Sequence, residues 1–274
     1  MEKLLEGKFA VVTGGGSGLG RAICKSLADH GAKVLVVDKF KKTADEVCAS
    51  LTTKGGLKHA SFECDVAVMG DVKKLFDFAQ KFHNTPPHVV VNSAGIIRDA
   101  EFIKMTEQQF DEVVAVNLKG TYLVTQIFSR AAVETKTPQS IINIASILGK
   151  VGAAERANYA ATKSAVIGLS KSAAAALARQ GVRVNALLPG YIVSPMTDAI
   201  EDKLLKAACE KIPMGRMGKP EEIADAVLFM ASDMSSYMTG AALEITGCRN
   251  QQQQHSQGKE FESMHFSLDT LSAQ

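Results

Sequence analysis

A cluster of glycines lies between two short apolar runs at the start of the chain, in FAVVTGGGSGLGRAICKSLADHGAKVLVVD. The first run predicts a buried strand, and the residues after the glycines predict a helix that ends at Gly31. The run VLVV predicts a second strand, which ends at Asp38. A strand, a helix and a strand in this order predict a β-α-β unit, so we expect a parallel sheet with helical crossovers.

The glycines follow the spacing G-x-x-x-G-x-G, with Gly14, Gly18 and Gly20 at the glycine positions. Residues without side chains allow the backbone to approach a pyrophosphate, and the amino end of the following helix then faces that anion. A P-loop would require Gly-Lys-Ser/Thr, whereas Arg21 and Ala22 follow Gly20. The pattern therefore predicts dinucleotide binding and argues against nucleotide hydrolysis.

Asp38 stands at the end of the second strand, roughly 20 residues beyond the glycines. A carboxylate at this place accepts hydrogen bonds from the adenosine ribose diol and repels a 2′-phosphate, which favours NAD over NADP. The alternative is a surface carboxylate that merely ends a strand. Because Lys39 follows directly, we expect the preference for NAD to be incomplete.

Helical and strand patterns alternate after this unit. Helices predicted at about 43–51 and 71–82 flank a strand at Ala60–Glu63, and the run HVVVN predicts the next strand. This alternation predicts an α/β fold with a parallel sheet and right-handed crossovers.

Polar and small residues follow two of these strands, and ligands of open parallel sheets lie beyond the carboxyl ends of the strands. Asp65 and Val66 follow one strand, and Asn92, Ala94 and Gly95 follow the next. We expect these positions to line the cofactor cleft, with Asp65 near the adenine amino group and the two small residues leaving room for ribose. Ordinary turn chemistry is the alternative at each position.

The stretch SIINIASILGKVGAAERANYAATKSAVIGLSK contains a hydroxyl, a phenol and an amine that are suited to work together. Ser146 is predicted at the carboxyl end of a buried strand, and a helix predicted at about 158–177 places Tyr159 and Lys163 on one face. An ammonium roughly 5 Å from a phenol favours the phenolate by about two pKa units, which would make Tyr159 a general acid/base. The alternative is a helix whose Tyr and Lys only cover apolar surface.

A long helix predicted at about 107–133 carries Asn117 within an apolar sequence. Asparagine is unfavourable in a buried helix unless its amide finds partners or opens the helix locally. A structural kink and a proton path behind Lys163 are both consistent with this position.

Composition excludes several classes of protein. The 274 residues carry a net charge of +2, which predicts neither nucleic-acid nor membrane-surface binding. The five cysteines show no metal-ligand spacing, so no metal site is predicted, and a reduced intracellular compartment is expected. No apolar run is long enough to span a membrane, and no signal peptide or mitochondrial presequence is visible.

Taken together, these motifs resemble the single-domain branch of the short-chain dehydrogenase/reductase family over about residues 8–247. The resemblance rests on ordered motifs: TGGGSGLG (13–20), NSAG (92–95), Asn117, Ser146, YAATK (159–163) and the Pro-Gly pair at 189–190. It implies a doubly wound, seven-stranded parallel sheet with strand order 3-2-1-4-5-6-7, helices on both faces, and a domain spanning 1–248.

The resemblance also implies roles for individual residues. Tyr159 would be the acid/base, Lys163 would lower its pKa and bind the nicotinamide ribose, Ser146 would orient the substrate carbonyl, and Asn117 would hold a water linked to Lys163. The implied cofactor contacts are Gly14, Ser17, Gly18, Leu19, Gly20, Asp38, Asp65, Val66, Asn92, Ala94, Gly95, Tyr159, Lys163, Ile192 and Ser194. The substrate contacts would be Ser146 and Tyr159.

Within the family, VNLKGTYLVTQ, NYAATKSAVIGL and PGYIVSPMT resemble the 3-oxoacyl-acyl-carrier-protein reductases and the type 8 17β-hydroxysteroid dehydrogenases. This implies an NAD-dependent reaction between a secondary alcohol and a ketone, on a 3-oxoacyl thioester or a 17β-hydroxysteroid, in the mitochondrial matrix or the cytoplasm. An apolar segment at about 191–212 is expected to cover the substrate. Arg130 stands where the reductases carry a basic residue that meets their acidic acyl carrier protein, although Gln180 replaces a second basic residue. The alternative is an ordinary solvated arginine.

The carboxyl end departs from the family pattern, because Cys248 follows Gly247 and a Gln-rich stretch occupies 249–274. That stretch predicts a disordered tail. The family commonly forms homotetramers, and some members form hetero-tetramers with a related reductase subunit. The alternative function is therefore a nucleotide-binding scaffold subunit with little activity alone.

Overall fold

The computed structural model describes residues 3–193, 209–210 and 212–248, which form a seven-stranded parallel sheet in the order β3-β2-β1-β4-β5-β6-β7. The strands are β1 (Phe9–Thr13), β2 (Lys33–Asp38), β3 (Ala60–Glu63), β4 (Val89–Asn92), β5 (Gln139–Ile144), β6 (Val182–Pro189) and β7 (Ala242–Ile245). The predicted fold and strand order are confirmed. The predicted disordered tail at 249–274 lies outside the described residues, as does Ser194.

The described helices alternate with the strands. They are α1 (Gly18–Asp29), α2 (Lys41–Ser50), α3 (Met69–His83), α4 (Glu107–Val113), α5 (Thr121–Thr135), α6 (Leu148–Val151), α7 (Ala157–Leu177) and α8 (Pro220–Ala231). The long helix predicted at 107–133 is divided, because a π-helical segment, Val114–Gly120, separates α4 from α5.

Apolar layers cover both faces of the sheet. On one face, side chains of α1 and α8, including Ile23, Leu27 and Val227, pack against β1, β2 and β5. On the other face, α3 and α5 contribute Leu75 and Phe128 to a second layer. The central strands are buried on both sides, which explains why they read as continuous apolar runs rather than alternating patterns.

The register of the strands brings their carboxyl ends to one edge. Thr13 of β1 lies opposite Val37 and Asn92, and Asn92 lies opposite Asn143 of β5. Residues that follow β1, β2, β4 and β5 therefore meet along a single cleft, as open parallel sheets require.

Candidate active site

The turn after β1 is shaped by glycines at positions that leave no space for a side chain. Gly14 has φ +64, and a Cβ on it would lie 2.7 Å from the Cα of Ala94. A Cβ on Gly20 would lie 2.0 Å from the carbonyl oxygen of Gly14. Ser17 precedes the first turn of α1 in extended conformation, so the amino end of this helix, with Leu19 in its first turn, borders the glycine turn. This turn fits a diphosphate, because the N–H groups of the first turn of a helix and the helix dipole favour an anion at the amino end.

The carboxylate of Asp38 is held beside the glycine turn by backbone donors. Gly16 N–H donates to its Oδ2 at 3.0 Å, and Phe40 N–H donates to its Oδ1 at 3.1 Å. A Cβ on Gly16 would lie 2.8 Å from the same Oδ2, so glycine permits this close approach. Each carboxylate oxygen retains acceptor capacity, which fits the ribose diol predicted for this position.

Asp65 forms an ion pair with Lys39, the residue that directly follows Asp38 in the sequence. Lys39 Nζ lies 2.8 Å from Asp65 Oδ2, and Ala67 N–H donates to Oδ1 at 3.0 Å. Burial raises the pKa of Asp65, but the hydrogen bonds from Lys39 and Ala67 outweigh it and hold that pKa below its ordinary value. Val66 packs against the position of Gly120, where a Cβ would lie 2.6 Å from Val66 Cγ2.

The side chain of Asn92 points into the protein core. Its Nδ2 donates to Thr125 Oγ1 at 3.0 Å and to Asn143 Oδ1 at 2.8 Å, and Asn143 Nδ2 donates to Ser170 Oγ at 2.9 Å. This network joins β4, β5, α5 and α7 beneath the cleft. Asn92 therefore supports the cleft through buried contacts, and a ligand in the cleft would meet its backbone.

Tyr159, Lys163 and Ser146 lie together at the carboxyl edge of the sheet. Lys163 Nζ is 5.5 Å from the centroid of the Tyr159 ring, and Ser146 lies close enough to the phenol to act on its pKa. Ser146 follows β5, is 8% exposed, and accepts a hydrogen bond from Leu148 N–H at 3.1 Å. The structure therefore brings these three side chains together, and their shared catalytic role stays a prediction.

The pKa of Tyr159 departs from the sequence expectation. Burial raises the pKa of the phenol above its ordinary value, while the Ser146 hydrogen bond and the charge of Arg156 act in the opposite direction. Burial also lowers the pKa of Lys163 to about 8. The expected net lowering of the Tyr159 pKa is therefore wrong for this structure, because desolvation of the phenolate exceeds the effect of the nearby charges.

Lys163 is buried and oriented by the end of β5. Its Nζ donates to the carbonyl oxygen of Ile144 at 2.7 Å, and a Cβ on Gly95 would lie 3.7 Å from the same Nζ. Gly95 therefore forms part of the wall around the ammonium, where a Cβ would be in ordinary van der Waals contact with Nζ. The hydrogen bond to Ile144 leaves two further donors on the ammonium.

Asn117 lies in the π-helical segment and is fully buried. Its Oδ1 accepts from Ile96 N–H at 2.8 Å, and its Nδ2 donates to the Ile96 carbonyl at 3.0 Å and to Thr162 Oγ1 at 3.4 Å. The amide thus fastens the loop after β4 to the opened helix and to α7. The sequence analysis allowed for a local opening of the helix at Asn117, and the structure shows such an opening.

Asn158 is a site residue that the sequence analysis did not identify. Its Nδ2 donates to the carbonyl oxygens of Arg98 at 3.0 Å and Gln109 at 3.1 Å, and its Oδ1 accepts from Tyr159 N–H at 2.7 Å. The side chain is fully buried and joins the first turn of α7 to α4 and to the loop after β4. The sequence feature that could have identified Asn158 is its polar amide at the start of an alanine-rich helix, directly before Tyr159.

An ion pair closes one side of the site. The Arg156 guanidinium binds both carboxylate oxygens of Asp99, with Nε to Oδ1 at 3.1 Å and Nη2 to Oδ2 at 2.9 Å. Ile192 forms a parallel bridge with Gly218 and is 7% exposed, and its side chain belongs to the apolar layer that contains α1 and α8. Within the described ranges, no group of three His, Cys, Asp or Glu side chains is arranged to hold a metal ion. No helix in those ranges is both long and apolar enough to cross a membrane.

Comparisons with known proteins agree with this geometry. Residues 14–247 match the family model described as enoyl-(acyl carrier protein) reductase. The chain is 44% identical to human (3R)-3-hydroxyacyl-CoA dehydrogenase over 253 residues, covering 90% of this chain and 97% of the relative. It is 39% identical to 3-oxoacyl-[acyl-carrier-protein] reductase of Thermotoga maritima, covering 89% and 98%. An Agrobacterium tumefaciens structure assigned as a 2-deoxy-D-gluconate 3-dehydrogenase, with bound NADP, has a TM-score of 0.81 and 35% identity, covering 90% and 98%.

Proposed function

The chain belongs to the short-chain dehydrogenase/reductase family of oxidoreductases, and from this premise we propose that it interconverts 3-hydroxyacyl and 3-oxoacyl thioesters with NAD(H). The observation that carries the proposal is the grouping of Tyr159, Lys163 and Ser146 beside the glycine turn, with the ammonium 5.5 Å from the phenol ring. The printed activities of the relatives from human and Thermotoga maritima support the acyl thioester as the substrate class.

Each side chain has a distinct role in the proposed reaction. The Ser146 hydroxyl donates a hydrogen bond to the substrate oxygen, and the Tyr159 phenol gives that oxygen a proton during reduction or removes one during oxidation. The Lys163 ammonium stabilises the phenolate and binds the nicotinamide ribose. A nicotinamide dinucleotide, when bound, supplies or accepts the hydride. Asn117 and Asn158 position α7 against the loop after β4.

NAD is the cofactor that the residues around the glycine turn favour. Asp38 presents its carboxylate where a 2′-phosphate would have to lie, and the ion pair with Asp65 neutralises Lys39, the basic residue that directly follows Asp38. A second negative group there would be repelled. The proposed contacts of the cofactor also include Ile192 and, outside the described residues, Ser194.

The remaining proposals concern assembly and place of action. We propose a homotetramer, with a hetero-tetramer as the alternative, because large apolar side chains are exposed on two stretches of the chain: Phe102, Ile103, Phe110 and Tyr122 before, on and after α4, and Phe229, Met234 and Tyr237 on and after α8. Arg130 is exposed on α5 and is the proposed contact for an acidic acyl carrier protein. The proposed compartment is the mitochondrial matrix or the cytoplasm.

Steady-state assays with purified protein test the proposal. We expect acetoacetyl thioesters to be reduced with NADH at a kcat/KM at least about tenfold above that with NADPH, because Asp38 repels the additional phosphate. Estradiol oxidation with NAD, run in parallel, tests the hydroxysteroid as a substrate. Binding of NADH without turnover of any of these compounds would contradict the proposal and favour a scaffold subunit.

A further inference from the structure

A basic cavity of about 280 Å³ lies at the end of the sheet opposite the candidate active site. Lys8 directly precedes β1 and Lys33 begins β2, so the cavity borders the amino ends of these strands. Strands of five and six residues separate it from Gly14 and Asp38, a distance of roughly 17 Å at about 3.3 Å per residue. The residues that give the cavity its charge and shape are Lys8, Lys33, Lys58, His83, Gly31 and Leu57.

The positive charge of this cavity is not balanced by its lining. Within the described part of the chain, Lys8, Lys33 and Lys58 form no ion pair with a carboxylate, and the carboxylate of the neighbouring Glu6 pairs with Lys3 at 3.1 Å. Burial and then the charge of Lys58 lower the pKa of Lys33, and burial and then Lys33 lower that of His83. Like charges therefore repel each other at this site, and a bound anion would relieve that repulsion.

The fold holds these cations in place through specific contacts. Lys33 Nζ donates to the carbonyl oxygen of Phe82 at 2.7 Å and lies 3.7 Å above the Phe82 ring. His59 connects the loop that carries Lys58 to β2, because its Nδ1 accepts from Val34 N–H at 3.1 Å and its Nε2 lies 2.8 Å from the Thr52 carbonyl. The ring of His83 packs 4.7 Å from that of Phe9, which begins β1.

We propose that this cavity is a binding site for a small phosphate-bearing anion, separate from the dinucleotide cleft. Its volume is just below the range of about 300–1,000 Å³ that is usual for ligand pockets, so a diphosphate or a phosphate ester fits better than a larger molecule. Lysine and histidine side chains of the segment before β1, of β2, of α3 and of the loop at 54–59 line the space, and a multiply charged oxyanion accepts from several donors at once. The proposal does not depend on the proposed reaction.

Isothermal titration calorimetry at constant ionic strength tests this site, with inorganic pyrophosphate and adenosine monophosphate as the two probes. We expect saturable binding of at least one probe, and at least about tenfold weaker binding by the double variant Lys8→Gln/Lys58→Gln, because charge-assisted hydrogen bonds are lost. Lys33 is retained in this variant because its ammonium also donates to the Phe82 carbonyl at the end of α3. The control is Lys73→Gln/Lys171→Gln, which removes two exposed lysines elsewhere and should bind as the wild type does.

A second readout distinguishes a specific site from general charge screening. With 13C-labelled histidine, the NMR titration of His83 should shift to higher pH when the probe binds, because the anion stabilises the imidazolium. The same titration in the Lys8→Gln/Lys58→Gln variant should show a smaller shift at equal probe concentration. Absence of saturable binding for both probes, or equal affinity in the double variant and the wild type, would overturn the proposal.

Discussion

Replacing Lys163 by methionine removes the charge next to the proposed acid/base while keeping an unbranched side chain. At the ring-centroid distance of 5.5 Å and an effective dielectric constant of about 20, the ammonium favours the Tyr159 phenolate by about 3 kcal/mol. This corresponds to about two pKa units at 1.36 kcal/mol per unit. Burial already raises the pKa of Tyr159, so the variant should need still more alkaline conditions to form phenolate.

Alcohol oxidation at saturating NAD, measured between about pH 6 and pH 10, is the appropriate assay because this direction requires the phenolate. Below about pH 8, where Lys163 carries its charge in the wild type, we expect kcat to fall by roughly a hundredfold in Lys163→Met, so the rising limb of its profile should begin at higher pH. Lys171→Met, on an exposed position of α7, is the matched control and should leave the limb in place.

The stability of this variant needs a separate measurement, because Lys163 Nζ donates to the Ile144 carbonyl. Burial lowers the pKa of Lys163 from 10.5 to about 8, so the folded state binds fewer protons than the unfolded state between these values. Wild-type stability should therefore gain from this group as pH rises through that window, and Lys163→Met should lack this gain. If the variant folds and binds NADH but its kcat limb coincides with that of the wild type, the charge of Lys163 does not set the pKa of Tyr159.

Two further substitutions test the cofactor preference and the support of the site. Asp38→Asn should raise kcat/KM with NADPH relative to NADH by about tenfold or more, because it removes a negative charge next to the 2′-phosphate position, and an unchanged cofactor ratio would refute that role. Asn158→Ala leaves two carbonyl groups and the Tyr159 N–H without their partner, so it should lower the free energy of unfolding by about 1–3 kcal/mol. It should also reduce kcat more than it changes the KM for NADH, and an equal effect on both would indicate a general loss of structure.

The sheet was predictable because each strand has a local signature. Apolar runs ending in Asp38, Asn92 and Ser146 alternate with helical patterns, and short right-handed crossovers leave few ways to arrange such units. The family resemblance then fixed the strand order. The predicted boundaries of the elements differ from the observed ones by a few residues. For example, α2 begins at Lys41 rather than at about 43.

The details of the site depended on contacts that spacing does not encode. The π-helical segment around Asn117 arises from an amide that bonds both backbone groups of Ile96, which is distant in sequence. The raised pKa of Tyr159 depends on how much protein covers the ring, and the ion pair of Lys39 with Asp65 joins two separate loops. Asn158 joins α7 to α4 and to the loop after β4, and its sequence position does not indicate that these segments meet there.

The central claim is that Tyr159 transfers the proton at the substrate oxygen, and the most direct test is the kcat of Tyr159→Phe for reduction of an acetoacetyl thioester at saturating NADH. Loss of a general acid should reduce kcat by about 10²- to 10⁴-fold while NADH still binds. The matched control is Tyr122→Phe, since Tyr122 is 42% exposed on α5 and its hydroxyl accepts a hydrogen bond from Gln126 Nε2, and it should retain wild-type kcat. A Tyr159→Phe enzyme within about threefold of the wild-type kcat would contradict the account.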